Sequence, residues 1–473
     1  MKKLIKYAIL TAGLIGAPLL SAATIEVAGD TRSKLGLIIY NQNLAMVNDT
    51  RTIVLPQGHS TLNFQAISPQ INPASAVLHP VPEPLRIVRQ HFQAVTTPGD
   101  LLAQSVGQMV TLASVDPVSG QSIRERAKII SVSSGLIFEI DGHFETDLAA
   151  RRIIYDQLPE GVTSPTLSID IESTQAFEAP LSLSYLTHGV SWEADYIARL
   201  NPDLNTMQLR GLASLQNDSG VDFPMATISL IAGSINQVQA ASMPRRERVM
   251  MAADASAAPP PAMAMADLQR YELPGRVNLG NNSRWQVLLF DADDVPVNRH
   301  YRLEAGSQIY YSKVVPEQHM NVDSYIEFEN LLEHHLGLPL PAGTMRLYVE
   351  NEDETEGLSF IGEDRIRHTP EKAQIRLKTG QAFNLTATRH QLAFKRLPVE
   401  QPYRQHFEIQ LETRLRNAGQ DAVMVEVAEN FNGEWLLKEG VKPHSSQSRF
   451  AIWKVLVPAQ GEAVLKLKVS VKN

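Results

Sequence analysis

The clearest pattern along the chain is an alternation of apolar and polar side chains with a period of two. In residues 191–200 the even positions are apolar or aromatic, and most of the positions between them are polar. Because successive side chains of a strand point to opposite faces of a sheet, this spacing predicts one buried and one solvated face. Residues 181–185 alternate in the same way, and His188-Gly189 between the two runs is typical of a hairpin turn. Similar runs recur elsewhere, so we expect a mainly β protein.

Prolines and turn residues divide the chain into several predicted modules. Residues 24–85 form an N-terminal β segment that ends in a proline-rich stretch. Residues 86–160 hold short strands joined by tight turns, which predicts a small β-barrel-like module. Residues 165–399 are predicted to form a β-sandwich region, and residues 400–473 an immunoglobulin-like β-sandwich. The predicted fold class is therefore mainly β and multidomain, with antiparallel β-sandwiches.

Residues 236–282 interrupt the alternation. This segment contains several arginines, an Ala/Met-rich stretch and three consecutive prolines, without a sustained apolar period. It is therefore predicted to be a long flexible loop inside the sandwich region. Methionine thioethers are soft ligands suited to Cu(I), so a copper-binding loop is one alternative function. The methionines concerned are Met243, Met250, Met251, Met263 and Met265.

Residues 1–23 have the features of a signal peptide. Three lysines precede an apolar stretch over residues 7–20, and the small residues Ser21-Ala22-Ala23 follow it. We expect cleavage near Ala23 and an exported protein, periplasmic or secreted. The apolar stretch is shorter than the roughly 20 residues of a membrane span, and no other run approaches that length, so no span is expected after cleavage. Aromatic residues make up only 6% of the chain, which disfavours an outer-membrane barrel.

Composition removes several classes of function. The chain has 43 Lys+Arg against 51 Asp+Glu, a formal net charge of -8, so no predominantly basic surface is available for nucleic acid. There is no cysteine, which excludes disulfides, thiolate nucleophiles, iron–sulfur clusters and cysteine-built zinc sites. The Ser-nucleophile pattern G-x-S-x-G and the glycine-rich phosphate-binding patterns do not occur either.

Aromatic and histidine residues suggest two candidate sites, each with a structural alternative. Trp192 and Tyr196 could stack on a sugar, but they alternate with Ala194 on one strand, which favours a place in the core. Glu333-His334-His335 could bind a metal ion. Adjacent residues point to opposite faces of a strand and lie far apart around a helix, so surface or packing roles are favoured.

Acidic residues suggest a calcium loop. The offsets of a calcium loop are matched by Glu352, Glu354, Glu356, Gly357 and Glu363. The first ligand positions carry Glu where shorter Asp or Asn is usual, so a solvated hairpin tip is favoured. Asp291-Ala292-Asp293-Asp294 is a weaker candidate, because Val295 and Pro296 occupy the next ligand and glycine positions. We therefore assign no catalytic, cofactor-binding or metal-binding residue and no cofactor.

Four segments resemble a known family: Ser191-Trp192-Glu193-Ala194-Asp195-Tyr196, residues 212–233, Leu338-Pro339-Leu340-Pro341-Ala342-Gly343 and Phe360-Ile361-Gly362-Glu363-Asp364. With them the chain resembles the domain of unknown function 4139 family, some of whose members are labelled mucoidy inhibitor A-like. The resemblance runs from about residue 165 to the C-terminus. Phe223 departs from it, since Trp would be expected after Asp222. The resemblance implies an exported bacterial β-rich protein and brings no established activity or catalytic residues.

We therefore expect a cell-envelope protein with a non-catalytic binding or structural role. Its partner would be another envelope protein or a surface polymer. An alternative is a hydrolase of envelope polysaccharide or peptide, because a catalytic carboxylate pair is set by distance in the fold and not by spacing in the sequence. A deep acidic cleft would favour this alternative, and a flat surface would count against it.

Overall fold

Strands dominate the fold. The computed structural model describes residues 23–80, 83, 85–93, 98–115, 119–133, 135–146, 152–158, 165–233, 235–236, 268–313, 317–351, 357–447 and 449–473. These residues form 30 strands in five sheets, which we call sheets A to E, and one short helix, α1 (Pro98–Gln104). Short 3-10 turns lie at Gly29–Thr31, Pro73–Ser75, Ser307–Tyr310 and Leu332–His334. The prediction of a mainly β protein with several sheets is confirmed.

Sheets A and B each combine strands from the predicted N-terminal segment with strands from the predicted sandwich region. From edge to edge, sheet A consists of β1 (Ala23–Val27), β4 (Gly58–Phe64), β12 (Thr166–Ser173) and β6 (Leu85–Gln93). Sheet B consists of β17 (Gln269–Glu272), β16 (Phe223–Ala232), β2 (Arg32–Tyr40), β3 (Leu44–Leu55), β13 (Phe177–Thr187) and β5 (Val77–His79), with β18 (Val277–Leu279) also paired to β16. The first 60 or so residues of the described chain are thus built into the same sheets as β12, β13 and β16.

Sheet C is the small module, and sheet D carries the candidate site. Sheet C consists of β10 (His143–Glu145), β9 (Ile137–Ile140), β8 (Ser122–Ser131), β7 (Met109–Val115) and β11 (Arg152–Tyr155). Its edge strands β10 and β11 are not paired with each other in the described residues, so the predicted barrel-like module is an open sheet. Sheet D consists of β19 (Ser283–Pro296), β15 (Thr206–Asn217), β14 (Val190–Leu200), β22 (Gly343–Glu350) and β23 (Leu358–Ile366).

Sheet E joins the C-terminal strands to earlier ones. It consists of β27 (Glu434–Gly440), β30 (Glu462–Lys472), β25 (His406–Asn417), β24 (Gln374–Arg396), β21 (Gln318–Glu329), β20 (Asn298–Ala305), β26 (Val423–Asn430), β29 (Phe450–Val457) and β28 (Ser445–Gln447). The strands predicted for an immunoglobulin-like sandwich over residues 400–473 therefore share one sheet with three strands that precede residue 400. The pairs β24–β25 and β20–β26 make this connection.

The described residues form three hydrophobic cores. Sheets A, B and D bury one common core, to which β21 and β24 of sheet E contribute Ile326, Phe328, Ile375 and Leu377. The rest of sheet E encloses a second core, and sheet C has a small core of its own. The ranges 24–85 and 165–399 consequently share a core, because β2 pairs with β16 and β3 pairs with β13. Each described helix is too short to cross a membrane.

The predicted loop over residues 236–282 is wrong for its last part. Residues 268–282 contain β17 and β18, which pair antiparallel with β16 and bury Leu273 and Leu279. These strands are only four and three residues long, and an alternation this short cannot be recognised as a strand in the sequence. The five methionines of the predicted loop and its Arg245, Arg246 and Arg248 lie outside the described residues, as do residues 1–22 of the predicted signal peptide. Ala23 begins β1.

A buried cluster of charges links sheets A and B. Asp49 on β3 accepts hydrogen bonds from Arg32 Nη2 at 2.8 Å and Arg51 Nη2 at 2.7 Å. Arg51 is fully buried and also donates to the carbonyls of Val27 and Gln65. Burial by itself would raise the pKa of Asp49, but the hydrogen bonds and charges of the two arginines outweigh it and hold that pKa below its usual value.

Candidate functional site

The inner face of sheet D is occupied by the aromatic residues that the sequence placed in the core. Trp192 and Tyr196 are buried, which confirms the structural alternative for both. Trp192 Nε1 donates to the carbonyl of Ile231 at 3.1 Å, and Tyr196 Oη donates to the carbonyl of Pro341 at 2.7 Å. Since both polar groups are satisfied inside the protein, neither ring is available to a ligand.

The outer face of sheet D carries the candidate site, an open depression of about 770 Å³ that we call the sheet D cleft. Its lining comes from β14, β15, β19 and β22, with one residue from the turn between β2 and β3. The residues around the cleft are Asn41, Ser191, Trp192, Glu193, Asp195, Ser214, Leu215, Gln216, Arg284, Trp285, Gln286 and Arg346. Strand register places the side chains of Trp192, Leu215 and Trp285 on the inner face of the sheet. The cleft is therefore mostly polar and combines segments that are far apart in the chain.

Strand register arranges the polar side chains in rows. Ser191 on β14 lies opposite Gln216 on β15, which lies opposite Arg284 on β19. Two residues further along β14, Glu193 begins a second row, which continues through Ser214 and Gln286. Directly opposed residues of antiparallel strands share one face, with Cβ atoms about 4.5–5.5 Å apart. The two rows consequently present adjacent side chains across three strands.

A hydrogen-bond network fixes the middle of the cleft. Asp195 Oδ1 accepts from Arg346 Nη1 at 2.8 Å, and Asp195 Oδ2 accepts from Ser214 Oγ at 2.5 Å. Ser214 Oγ in turn accepts from Gln286 Nε2 at 3.1 Å, and Arg346 Nε lies 3.3 Å from Glu363. The hydrogen bond and charge of Asp195 raise the pKa of Arg346. Asp195 thus accepts hydrogen bonds through both carboxylate oxygens on the floor of the cleft.

Other residues of the cleft are free for contact with a ligand. Among the described residues, the exposed side chains of Glu193 and Arg284 have no hydrogen-bond or ion-pair partner. Trp285, on the edge strand β19, is 43% exposed although it is a large aromatic residue. Trp285 lies opposite the buried Leu215, so its side chain is on the inner face at the edge of the sheet, and the free groups of the cleft are Glu193 and Arg284.

The hairpin before β14 fixes one end of the cleft against sheet B. Gly189 N donates to Asn43 Oδ1 at 2.9 Å, and Asp218 N donates to the carbonyl of Gly189 at 2.6 Å. Gly189 has φ +82°, and a Cβ there would lie 2.7 Å from Ser219 Cα. Glycine is therefore required at this turn, which brings the β2–β3 turn and its Asn41 to the cleft.

Of the two histidines considered as metal ligands, His335 makes another contact, whereas the buried Nδ1 of His334 has no hydrogen-bond partner among the described residues. His335 adopts φ 58° after the 3-10 turn, and its Nδ1 lies 2.6 Å from the carbonyl of Asp293. Throughout the described ranges, no group of three or more His, Cys, Asp or Glu side chains is placed to hold a metal ion.

The acidic candidates that the structure describes are engaged in other contacts. Asp291 forms an ion pair with Arg210 at 2.7 Å, and Asp293 accepts from Gln208 at 2.8 Å, so both serve cross-strand contacts. Glu363 lies on β23 next to Arg346. The remaining carboxylates of the predicted calcium loop, Glu352, Glu354 and Glu356, lie outside the described residues.

The sequence predicted which side chains of β14 face away from the core, but it did not predict that they belong to a cleft. Alternation over residues 191–200 correctly placed Ser191 and Glu193 on the less buried face of β14, whereas Asp195 on the same face is itself buried. The contributions of Asn41, Arg284, Trp285 and Arg346 were missed, because each comes from a different segment.

The fold and the cleft together define a class: multi-sheet β proteins with an open, polar surface cleft. Within that class, the sequence profile of the domain of unknown function family (DUF4139) matches residues 181–473. The match covers more than half of the chain, and the protein belongs to this family. It includes all the strands that line the cleft, whereas Asn41 lies before it. No curated protein matches the chain.

Proposed function

We propose that this protein is exported to the bacterial cell envelope, periplasmic or secreted, and binds a partner through the sheet D cleft without catalysing its conversion. The observation that carries the proposal is the division of the cleft into a fixed polar floor and exposed, unpartnered groups around it. Export is supported by the lysines, apolar stretch and small residues of positions 1–23.

The state of the two carboxylates of the cleft favours binding over hydrolysis. Glycosidase chemistry uses two carboxyl groups, one of which must give up or take a proton. Both carboxylate oxygens of Asp195 already accept hydrogen bonds, one from Arg346 and the other from Ser214. Glu193 is left as the one unpartnered carboxylate among the described lining residues. A single free carboxylate in an open depression suits contact with a partner better than paired acid–base work.

The hydrolase alternative rests on one specific observation. Glu193 and Asp195 lie two residues apart on β14 and line the same cleft. The purified full-length mature protein and its Glu193→Gln variant should be incubated with bacterial cell-wall polymer and with peptide substrates. We expect neither protein to release new reducing ends or amino groups. Release by the wild type that the substitution abolishes would establish the hydrolase and overturn the non-catalytic proposal.

Binding and export are tested together in living cells. A photo-crosslinking residue at position 286 lies in the cleft, and the same residue at position 383, on β24 of sheet E, is the matched control. We expect mature protein that begins at Thr24 in the envelope fraction, with a crosslinked partner at position 286 and none at position 383. Uncleaved protein in the cytoplasm would overturn the envelope location. Crosslinking at neither position, or equally at both, would overturn the cleft as the binding site.

A further inference from the structure

We infer that one face of sheet C is a docking surface for an anionic lipid membrane, separate from the sheet D cleft. We call it the outer face of sheet C, because it points away from the small core of that sheet. Two observations carry the inference: a line of basic side chains and the exposed apolar side chains beside it. Sheet C precedes the part of the chain that the family profile matches, so this surface belongs to the N-terminal part of the protein.

Strand register separates the two faces of sheet C. On the inner face, Val110 on β7 lies opposite Ala127 on β8, and Ile129 lies opposite Phe138 on β9. All four residues are buried in the small core, and Leu102 of α1 packs against them. The residues between them along β7, β8 and β9 point to the outer face, because side chains of a strand alternate.

Basic side chains form a line along β8 on the outer face. They are Arg124, Arg126 and Lys128, and all three are exposed. Alternate residues of a strand lie about 6.8 Å apart, so the line is about 14 Å long. Arg152 on β11 lies opposite Ala113 of β7, which lies opposite Arg124, so it adds a fourth exposed cation to the same face.

Acidic groups neutralise only part of this charge. Arg126 forms an ion pair with Asp156, and Glu139 on β9 lies opposite Lys128 on the same face. The other three basic side chains have no ion-pair or hydrogen-bond partner among the described residues. Four basic and two acidic side chains leave an excess of two positive charges, on a protein whose formal net charge is -8. The outer face is therefore a local basic patch on an acidic protein.

Large apolar side chains are exposed on the same face. Phe144 on β10 and Met109 on β7 lie in the same row as Lys128, and they are 67% and 45% exposed. Ile154 on β11 and Val115 on β7 are the other exposed apolar residues of this face. Single exposed apolar residues are ordinary on protein surfaces. Here, however, they flank the basic line on both sides, so one ligand can contact both kinds of side chain.

An anionic lipid surface offers both contacts at once. Its phosphates attract basic side chains, and its acyl chains lie just below the headgroups, where apolar side chains are buried. A second copy of the same face would bring like charges together. A partner protein would need a pocket for each apolar anchor. A fluid bilayer, in contrast, can bury them at the scattered positions that the strands give them.

The attraction acts over a short range and orients the protein. Charges are screened beyond about 8–10 Å at physiological salt, so the negative charge of the distant sheets opposes binding only weakly when sheet C faces the lipid. Each basic residue near an anionic leaflet strengthens binding about fivefold. Loss of two such residues should therefore weaken binding about 25-fold.

The first measurement is co-sedimentation of the full-length mature protein with vesicles of equal parts phosphatidylglycerol and phosphatidylcholine. Vesicles of phosphatidylcholine alone are the neutral comparison. We expect binding to the anionic vesicles that weakens as salt is raised, and much weaker binding to the neutral ones. Arg124→Gln with Lys128→Gln should weaken it about 25-fold. The matched control, Lys395→Gln with Arg396→Gln, removes the same charge from exposed positions of β24 and should leave binding nearly unchanged.

The second measurement reports the apolar contact. The chain has no cysteine, so Phe144→Cys can be labelled at a single position with a dye that responds to the polarity of its surroundings. Phe383→Cys on β24, where the native side chain is 97% exposed, is the matched control. We expect anionic vesicles to shift the dye emission to the blue at position 144 and to leave it unchanged at position 383. Circular dichroism confirms that each variant is folded.

Three results would overturn the inference: no binding to anionic vesicles, equal binding by the two double variants, and equal dye shifts at positions 144 and 383. Polyglutamate is included as an acidic polypeptide. If it binds through Arg124 and Lys128 while the vesicles do not bind, the outer face recognises an acidic protein and the membrane inference fails. The crosslinking test at position 286 is independent of these results, so the proposed binding function is decided separately.

Discussion

The pair Arg389–Glu429 gives the sharpest prediction about what holds sheet E together. Arg389 on β24 and Glu429 on β26 are both fully buried, and Arg389 Nη2 lies 2.9 Å and 2.7 Å from the two carboxylate oxygens. Tyr310 Oη donates to the same carboxylate, and burial together with the charge of Glu429 raises the pKa of Tyr310 well above its usual value. Burial would lower the pKa of Arg389, but Glu429 and Tyr310 raise it overall. The three side chains thus form one hydrogen-bonded network.

We predict that Arg389→Met lowers the free energy of unfolding of the sheet E core by about 3–5 kcal/mol, because it leaves the charge of Glu429 buried with only a phenol as partner. Replacing both residues, as Arg389→Met with Glu429→Leu, removes the stranded charge. The double variant should therefore lose much less than the sum of the single losses. Replacement of a buried ion pair by apolar residues of similar volume is often close to neutral.

The assay is urea unfolding at pH 7, followed by tryptophan fluorescence. Trp435 and Trp453 belong to the core of sheet E, and both lie close to Phe431, which contacts Tyr310 at a centroid distance of 4.9 Å. Their emission therefore reports on the core that contains the ion pair. Two results would refute the reasoning: a loss below about 1 kcal/mol in Arg389→Met, or a double variant whose loss equals the sum of the single losses.

Three further predictions concern the remaining structure. The pKa of Asp49 is lowered in the folded protein. Its ionised carboxylate therefore stabilises the fold at every pH above the unfolded-state pKa of about 3.9. This stabilisation is lost as the pH falls from that value towards the lower pKa of the folded state. The difference in unfolding free energy between the wild type and Asp49→Asn should accordingly shrink in urea melts from pH 6 to pH 3, and a constant difference would contradict this account. Gly343→Ala would place a Cβ 2.1 Å from the carbonyl oxygen of Ala194, so β22 must shift away from β14. This shift should lower the free energy of unfolding by about 1–3 kcal/mol. An unchanged melting temperature would be inconsistent with this close approach. Asn217→Ala removes an amide that donates to three carbonyls at 2.9–3.1 Å and accepts from a backbone N–H. It should lower the free energy of unfolding, measured in urea, by about 1–3 kcal/mol. The control Asn201→Ala, at a partly exposed turn, should lower it by less.

Part of the cleft could be predicted from local sequence. The alternation of residues 191–200 gave both faces of β14 correctly, with Trp192 and Tyr196 inside and Glu193 outside. This prediction is local, because the side-chain period of a strand depends only on the backbone of that strand. The resemblance of the C-terminal part to its family was likewise visible in short segments of sequence, and the match over residues 181–473 confirms it.

The choice of neighbouring strands was not local. Residue 36 of β2 pairs with residue 227 of β16 in a parallel ladder, and nothing in either run specifies the other. Backbone hydrogen bonds between strands are the same for almost any pair of sequences, so the selection depends on how the whole core packs. The predicted division between residues 24–85 and 165–399 followed prolines and turns, which mark where a strand ends but not where it pairs.

The sequence by itself determined that this protein is built from strands, which side of β14 faces water, and to which family it belongs. Only the tertiary structure decided that Asn41, Arg284, Trp285 and Arg346 meet at one cleft, that residues 268–282 add two strands to β16, and that the C-terminal strands continue a sheet begun before residue 400. The physical reason is that alternation encodes burial residue by residue. A binding surface, in contrast, depends on contacts between segments that only the packed core brings together.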